Sequence, residues 1–296
     1  MEMRTMGATG MLVSALGYGA AEIGFTHTDE SVVSRILNEA LDSGLNVIDT
    51  AECYGSEEVI GKTIAHRRKD YYLFTKCGHA SGMDLPDWDP QLLRKSIERS
   101  LKLLKTDCVD LINLHSCSEE ILRKGDAIEI LKKARQEGKT RFIGYSGDSY
   151  AARYAIECGE FDSLETSVSI ADQEALTLTL PLASEKKMGV IAKRPIANVA
   201  WVKGEPENEY GHEYWKRLKV LDYPFLRDSL PKAVEIALRF TLSTPGVHTA
   251  IVGSTNPNRW KENLQYISKG ELDPTEYAAI VERWRQRAAK DWVGQA

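Results

Sequence analysis

No stretch of this chain approaches the roughly 18 consecutive apolar residues of a membrane-spanning helix, and the opening MEMRTMGATGM has no long apolar core. An unsecreted, cytoplasmic protein with no membrane partner is expected. Excess positive charge is missing as well. Lys and Arg number 38 against 43 Asp and Glu, a formal net charge of −5, so no basic field invites nucleic acid. Cysteine occurs five times, at 53, 77, 108, 117 and 158, but never as a C-x-x-C pair or at zinc spacing. Reduced thiols are expected, with neither a disulfide framework nor a metal centre. No G-x-G-x-x-G follows the first strand candidate, and no repeat, low-complexity segment or linker divides residues 1–296. One domain is expected, and the sequence specifies no oligomeric state.

What is present is an alternation of β-prone runs and helical patterns. After a hairpin around Met3 to Val13, with Ala8-Thr9-Gly10 in its turn, eight strand candidates follow. They are Ser14 to Leu16, Asn46 to Asp49, Tyr71 to Thr75, Val109 to Leu114, Arg141 to Tyr145, Ser163 to Ser167, Val190 to Ala192 and Thr249 to Val252. Thr28 or Asp29 caps a helix with Val33, Ile36, Leu37, Ala40 and Leu41 on one face, and Gly44 stops it. Asp89-Pro90 opens a second, and further helices are expected over Asp126 to Glu137, Leu176 to Lys187 and Pro231 to Leu242. Eight such units, with 43% hydrophobic residues to fill one large core, fit a (β/α)8 barrel with an N-terminal hairpin and an extra C-terminal helix. A doubly wound open sheet is the alternative, but it would gather its reactive groups at one switch point.

Here they come from successive strands. VIDT closes on Asp49 with Tyr54 five residues on, YYLFTK closes on Lys76, LINLH on His115 and FIGYS on Ser146. A tyrosine with an unperturbed pKa of about 10 is a reluctant acid at neutral pH. A lysine beside it favours the tyrosinate, an aspartate holds the lysine, and a histidine can donate to and orient a substrate oxygen. Singly, each residue reads as a cap, a structural ion pair or packing. Together they protonate a developing alkoxide, as a carbonyl requires when it receives hydride.

These segments resemble the aldo-keto reductase family over nearly the whole chain: TGMLVSALGYG, NVIDTAECYGSEEVIG, FTKCG, DCVDLINLHS, GKTRFIGYS and VGSTNPNRWKENL. The resemblance implies a barrel that binds NADP(H), with NAD(H) possible, and reduces an aldehyde or ketone to an alcohol. It makes Tyr54 the proton donor, Lys76 its pKa modifier, Asp49 the lysine's partner and His115 the orienting group. For the cofactor, the residues themselves point to GSTNPNRWKEN, where a helix opening at Asn256-Pro257 offers free N–H groups and its dipole to a phosphate. Capping by Asn256 alone is the plainer account. By resemblance, Gly253, Ser254, Thr255, Arg259, Glu262 and Asn263 grip the adenosine end, the arginine favouring a 2′-phosphate, while Ser146, Glu165, Lys193 and Arg194 lie at the nicotinamide end. That end departs from the family pattern: Gly147 replaces an asparagine, Glu165 a glutamine and Lys193 an aromatic residue, which suggests that Glu165 and Lys193 neutralise one another.

Cys53, Cys77 and Cys117 adjoin these motifs and read as small fillers rather than a redox or metal cluster. The segment from Asn198 to about Asp228 carries Trp201, Tyr210, Tyr214, Trp215, Tyr223 and Phe225, which suits a clamp over the mouth or ordinary packing equally. Two rival functions stay open: a Schiff-base lyase using Lys76 or Lys193, and an NADPH-binding sensor that turns over slowly.

Overall fold

A computed structural model describes residues 1–202, 204–205 and 209–295, without the side chains of 209 and 210. Strands β1 (Met3–Thr5) and β2 (Leu12–Ser14) form an antiparallel hairpin. Eight parallel strands follow: β3 (Leu16–Gly19), β4 (Val47–Asp49), β5 (Tyr72–Cys77), β6 (Val109–His115), β7 (Thr140–Ser146), β8 (Ser163–Ser167), β9 (Gly189–Lys193) and β10 (Thr249–Val252). They close into a barrel in chain order, with β10 pairing β3. Among the described residues no helix is long and apolar enough to cross a membrane.

The strands are buried on both faces, and their two-residue alternation divides the molecule. Ile48, Leu73, Ile112, Leu114, Ile143, Leu164 and Val190 face outward into the main core under the helices. Val47, Phe74, Leu111 and Ile191 face inward and meet Met6, Met11 and Val13 of the hairpin, which seals the amino-terminal mouth. One or two pleats higher, the same inward face carries Asp49, Lys76, Asn113, His115, Ser146, Glu165 and Lys193. The barrel interior is thus apolar at its floor and polar at its carboxyl rim.

Most helices form where their periodicity places them. Glu30–Asp42 buries the five expected residues, and Pro90–Leu104 starts at Asp89, whose carboxylate accepts from the amides of Gln91 and Leu92. Three expectations need correction. The first barrel strand is Leu16–Gly19, because Ser14 still pairs with Met3 in the hairpin. The helix expected over Leu176 to Lys187 is two short ones, Ala175–Leu178 and Leu180–Glu185, since Pro181 has no N–H to continue the ladder. The aromatic connection is not a loop: Glu209–Leu221 is helical, and Tyr214 and Tyr223 are buried with Phe240 and Ile280 in a second core under the C-terminal helix Pro274–Arg287. Trp201, Trp215 and Phe225 pack partly buried against the same core, and the side chain of Tyr210 lies outside the described residues.

One buried carboxyl gives the fold a pH signature. Glu57 is buried and accepts from the Thr75 hydroxyl at 2.7 Å, with no cation paired to it among the described residues. Burial pushes its carboxyl up from about 4.5 to about 7. The folded state therefore prefers the protonated acid, so this contribution to stability is complete below about 4.5 and fades as pH rises toward 7. Glu57→Gln should flatten that slope, raising stability relative to wild type by on the order of 2–3 kcal/mol at pH 8 and little at pH 4. Denaturant melts of the two proteins at both pH values check this; a pH-independent difference would contradict it.

Candidate active site

The polar rim is organised around one ammonium group. Lys76 Nζ donates to Asp49 Oδ1 at 2.5 Å and to the Thr50 carbonyl at 3.0 Å, and lies 3.2 Å from Glu165 Oε1. All three side chains are essentially fully buried. Burial by itself would lower the lysine, but the carboxylates of Asp49 and Glu165 outweigh it and hold the ammonium well above its ordinary value. Burial and the neighbouring Glu165 charge push Asp49 well above the usual carboxylate range, against the pull of Lys76. Two carboxylates thus compete for one cation.

Glu165 reaches across from β8 because β7 leaves room. A Cβ on Gly144 would stand 2.1 Å from Asn113 Oδ1 and 2.2 Å from the Ser163 hydroxyl. The bare glycine lets Asn113 on β6 donate to Glu165 Oε2 at 3.0 Å over the intervening strand.

Tyr54 stands in the turn after β4, half-buried, with Lys76 Nζ 5.3 Å from its ring centroid. Its ring meets Phe25 edge-on at 5.4 Å and His115 edge-on at 5.8 Å. The His115 carbonyl accepts from the Trp88 indole at 2.7 Å, and a Cβ on Gly78 (φ +157°) would lie only 2.8 Å from that indole nitrogen, so the close approach needs glycine. His115 Nδ1 lies 3.6 Å from Glu52 Oε2 and 3.8 Å from Cys53 Sγ. Burial lowers the histidine below its ordinary value, so its neutral form prevails at pH 7. Asp49, Tyr54, Lys76 and His115, expected to act together, are therefore brought together.

The residues expected at the nicotinamide end are placed less simply. Ser146 and Glu165 are buried neighbours in register on β7 and β8. Glu165 and Lys193 do not pair, contrary to the sequence expectation. Glu165 turns to Lys76 and Asn113, while Lys193 Nζ binds Asp148 Oδ2 at 2.8 Å. Asp148 also accepts from the Thr166 hydroxyl at 2.8 Å and the Ser167 amide at 2.7 Å. Arg194 adopts a left-handed backbone (φ 56°) and donates to the Gln295 carbonyl at 2.5 Å.

The C-terminal segment forms a separate surface beside β10. Gly253, Ser254 and exposed Thr255 lead into the helix Pro257–Ile267, which Asn256 caps through the Asn258 amide at 3.0 Å. Tyr18 donates to the Ser254 carbonyl at 2.7 Å. Arg259 pairs with Glu262 at 2.7 Å, both half-exposed, and Asn263 is buried with its Oδ1 lacking a hydrogen-bond partner. An acceptor left over in this way fits an amino donor such as that of an adenine, and the guanidinium of Arg259 at the helix start suits a phosphate that displaces Glu262. These residues fit a dinucleotide at its adenosine end.

Sequence reasoning missed Glu52, Asp148 and Asn113. Asp148, two residues past a strand end, carried a positional signal; Asn113 had one in the parity that places it inward with Lys76 and His115.

The aldo/keto reductase family model matches residues 15–285. L-galactose dehydrogenase of Arabidopsis thaliana is 30% identical over 92% of this chain and 89% of its own length. D-threo-aldose 1-dehydrogenase of a Pseudomonas species is 28% identical over 88% and 91%. The holo form of an aldo-keto reductase from Bacillus halodurans superposes with a TM-score of 0.83 at 27% identity, over 98% of this chain and 99% of that one. The family match spans the barrel, its rim residues and most of the C-terminal helix, and on that extent the chain belongs to the aldo/keto reductase family, whose nicotinamide-dependent oxidoreductases interconvert carbonyls and alcohols.

Proposed function

We propose that this chain reduces an aldehyde or ketone to an alcohol with NADP(H), Tyr54 supplying the proton. The observation that carries the reading is the buried ammonium of Lys76, fixed by two carboxylates and set 5.3 Å from the Tyr54 ring with the His115 ring edge-on to the same tyrosine. The bound nicotinamide supplies the hydride. As negative charge grows on the substrate oxygen, the Tyr54 hydroxyl gives up its proton, and the Lys76 charge stabilises the tyrosinate left behind. Neutral His115, whose Nδ1 can accept from the Cys53 thiol at 3.8 Å, donates Nε2–H to the same oxygen and fixes its direction. Asp49 acts through Lys76. Ser146, Glu165, Lys193 and Arg194 line the nicotinamide end, while Gly253, Ser254, Thr255, Arg259, Glu262 and Asn263 hold the adenosine end, with Arg259 released from Glu262 to meet the 2′-phosphate. The Schiff-base reading is disfavoured: imine formation needs a neutral amine, but Lys76 is held charged and Lys193 is paired with Asp148.

Lys76→Met should lower kcat for carbonyl reduction by about 10²–10⁴-fold while NADPH titration gives a Kd within a few-fold of wild type. Because the substitution strands two buried carboxylates, Tyr54→Phe, which removes one hydroxyl, serves as the companion variant and should show the same loss. Retained turnover in Tyr54→Phe would remove the centre of the mechanism, and negligible wild-type turnover across a panel of aldehydes and ketones would favour the sensor. Arg259→Ala should weaken NADPH by roughly 10–100-fold, the worth of a charge-assisted bond, and NADH far less; equal losses in a fluorescence titration would sink the 2′-phosphate assignment. Glu165→Gln takes one of the two negative charges from Lys76 and lets more of its field act on Tyr54. The alkaline limb of the reduction rate should then move to lower pH, and an unmoved limb would show that Glu165 does not moderate the lysine.

A further inference from the structure

We propose that Glu52, Cys53 and His115 form a binding site for one thiophilic divalent cation, zinc being the ion their donor set suits best. One donor atom from each of Glu52, Cys53 and His115 lies within 4.8 Å of the other two. Nδ1 is 3.8 Å from the sulfur and 3.6 Å from the carboxylate oxygen. A tetrahedral zinc with bonds of about 2.3 Å to sulfur and about 2.0 Å to nitrogen and oxygen sets these separations at roughly 3.5 Å and 3.3 Å. These two separations are about 0.3 Å longer, and the oxygen–sulfur separation has to close as well, so side-chain rotation must bring the three donors together.

An independent observation points at the same place. Glu52 Oε2 is buried and has no hydrogen-bond partner, and 3.6 Å to Nδ1 is too long for one. The carboxylate cannot simply turn away, because its other oxygen accepts from the His79 amide at 2.8 Å. A buried carboxylate oxygen without a donor is costly, and a cation supplies what the fold leaves out. Elsewhere on the rim the carboxylates have cations of their own: Lys76 serves Asp49 and Glu165, and Lys193 serves Asp148. Glu52 has no lysine or arginine ion pair of this kind among the described residues, and faces His115 Nδ1 at 3.6 Å.

The surroundings behave as outer ligands do. The His79 amide fixes Glu52, and the Trp88 indole holds the His115 backbone. A thiolate with an imidazole selects zinc or a similarly soft ion over magnesium or calcium. Cys53 is half-buried, so an ion can enter from its side. Coordination displaces the Cys53 thiol proton to solvent as the metal–sulfur bond forms. The fourth position falls to water. Coordination at Nδ1 leaves the proton on Nε2, the nitrogen proposed to face the substrate, so a loaded site acts on the same histidine as the reaction. That consequence rests on the carbonyl-reduction reading; binding itself does not.

Titration of the full chain with Co²⁺ alone tests the site, following the near-ultraviolet charge-transfer band of a thiolate–cobalt bond. One Co²⁺ per chain with that band, displaced by Zn²⁺, is expected. Cys53→Ser should lose the band, and Glu52→Gln should keep it while weakening Co²⁺ binding at least about tenfold. No band in the wild type, a band that survives Cys53→Ser, or unchanged affinity in Glu52→Gln would each overturn the assignment. Circular dichroism of both variants confirms that the fold is retained. Zinc bound at one equivalent with carbonyl turnover unchanged would count against His115 in the proposed reaction and leave the metal site standing.

Discussion

The ammonium of Lys76 is the group on which the arrangement of this barrel depends. Taking a charge fully out of water costs several kcal/mol, which its partners must offset with good geometry. One partner, Asp49, comes from the neighbouring strand; the other, Glu165, comes from β8, three strands away in the other direction of counting. Only a closed sheet brings those positions to within 3.2 Å of the same nitrogen, so barrel closure and the charge cluster require one another. Removing a single partner from such a cluster typically costs about 3–5 kcal/mol, enough to consume much of the stability of an ordinary domain.

The division into a dry floor and a polar rim follows from side-chain parity alone. Val47 and Asp49 share one face of β4, Phe74 and Lys76 one face of β5, and Leu111, Asn113 and His115 one face of β6. Each strand spends its first inward position on an apolar residue that meets the hairpin and its last on a group with chemistry. The hairpin's Met6, Met11 and Val13 close the floor to water, and the charges above are felt strongly because little solvent screens them from below.

Much of this was legible before any coordinates. The eight strands announce themselves as short β-prone runs, and Asp49, Tyr54, Lys76 and His115 follow from reading where each run stops. The limits are equally physical. Sequence order shows which strands are neighbours but not which side chains meet across a barrel, so the Lys76–Glu165 contact was invisible and Gly144's part in it was unreadable. Glu165 and Lys193 were expected to pair because their strands are adjacent. Register defeats that: Glu165 lies opposite Ile191 and Lys193 opposite Ser167, a full pleat higher. Asp148, in the turn after β7, then reaches Lys193 first. The aromatic residues after Asn198 are ambiguous in sequence because an amphipathic helix and an aromatic clamp draw on the same residue types; the second core shows the packing that Tyr214 and Tyr223 provide.

The rim and the C-terminal helix carry opposite electrical characters, and on the proposed reading this orients the dinucleotide. Acidic groups gather at the barrel mouth, where Asp49 and Glu165 meet Lys76, Asp148 meets Lys193 and Glu52 faces His115. Beside β10 the start of the helix Pro257–Ile267 presents the positive end of its dipole, and Arg259, paired there with Glu262, has a guanidinium to turn toward a phosphate. Phosphate therefore belongs at the helix and is repelled from the mouth. A nicotinamide ring gains positive charge when it gives up hydride, so a carboxylate-rich mouth stabilises the oxidised ring relative to the reduced one. On that reading the same acidic surroundings would lower the cost of hydride departure, while Lys76, shared between two carboxylates, sets a positive charge beside Tyr54 that those carboxylates moderate.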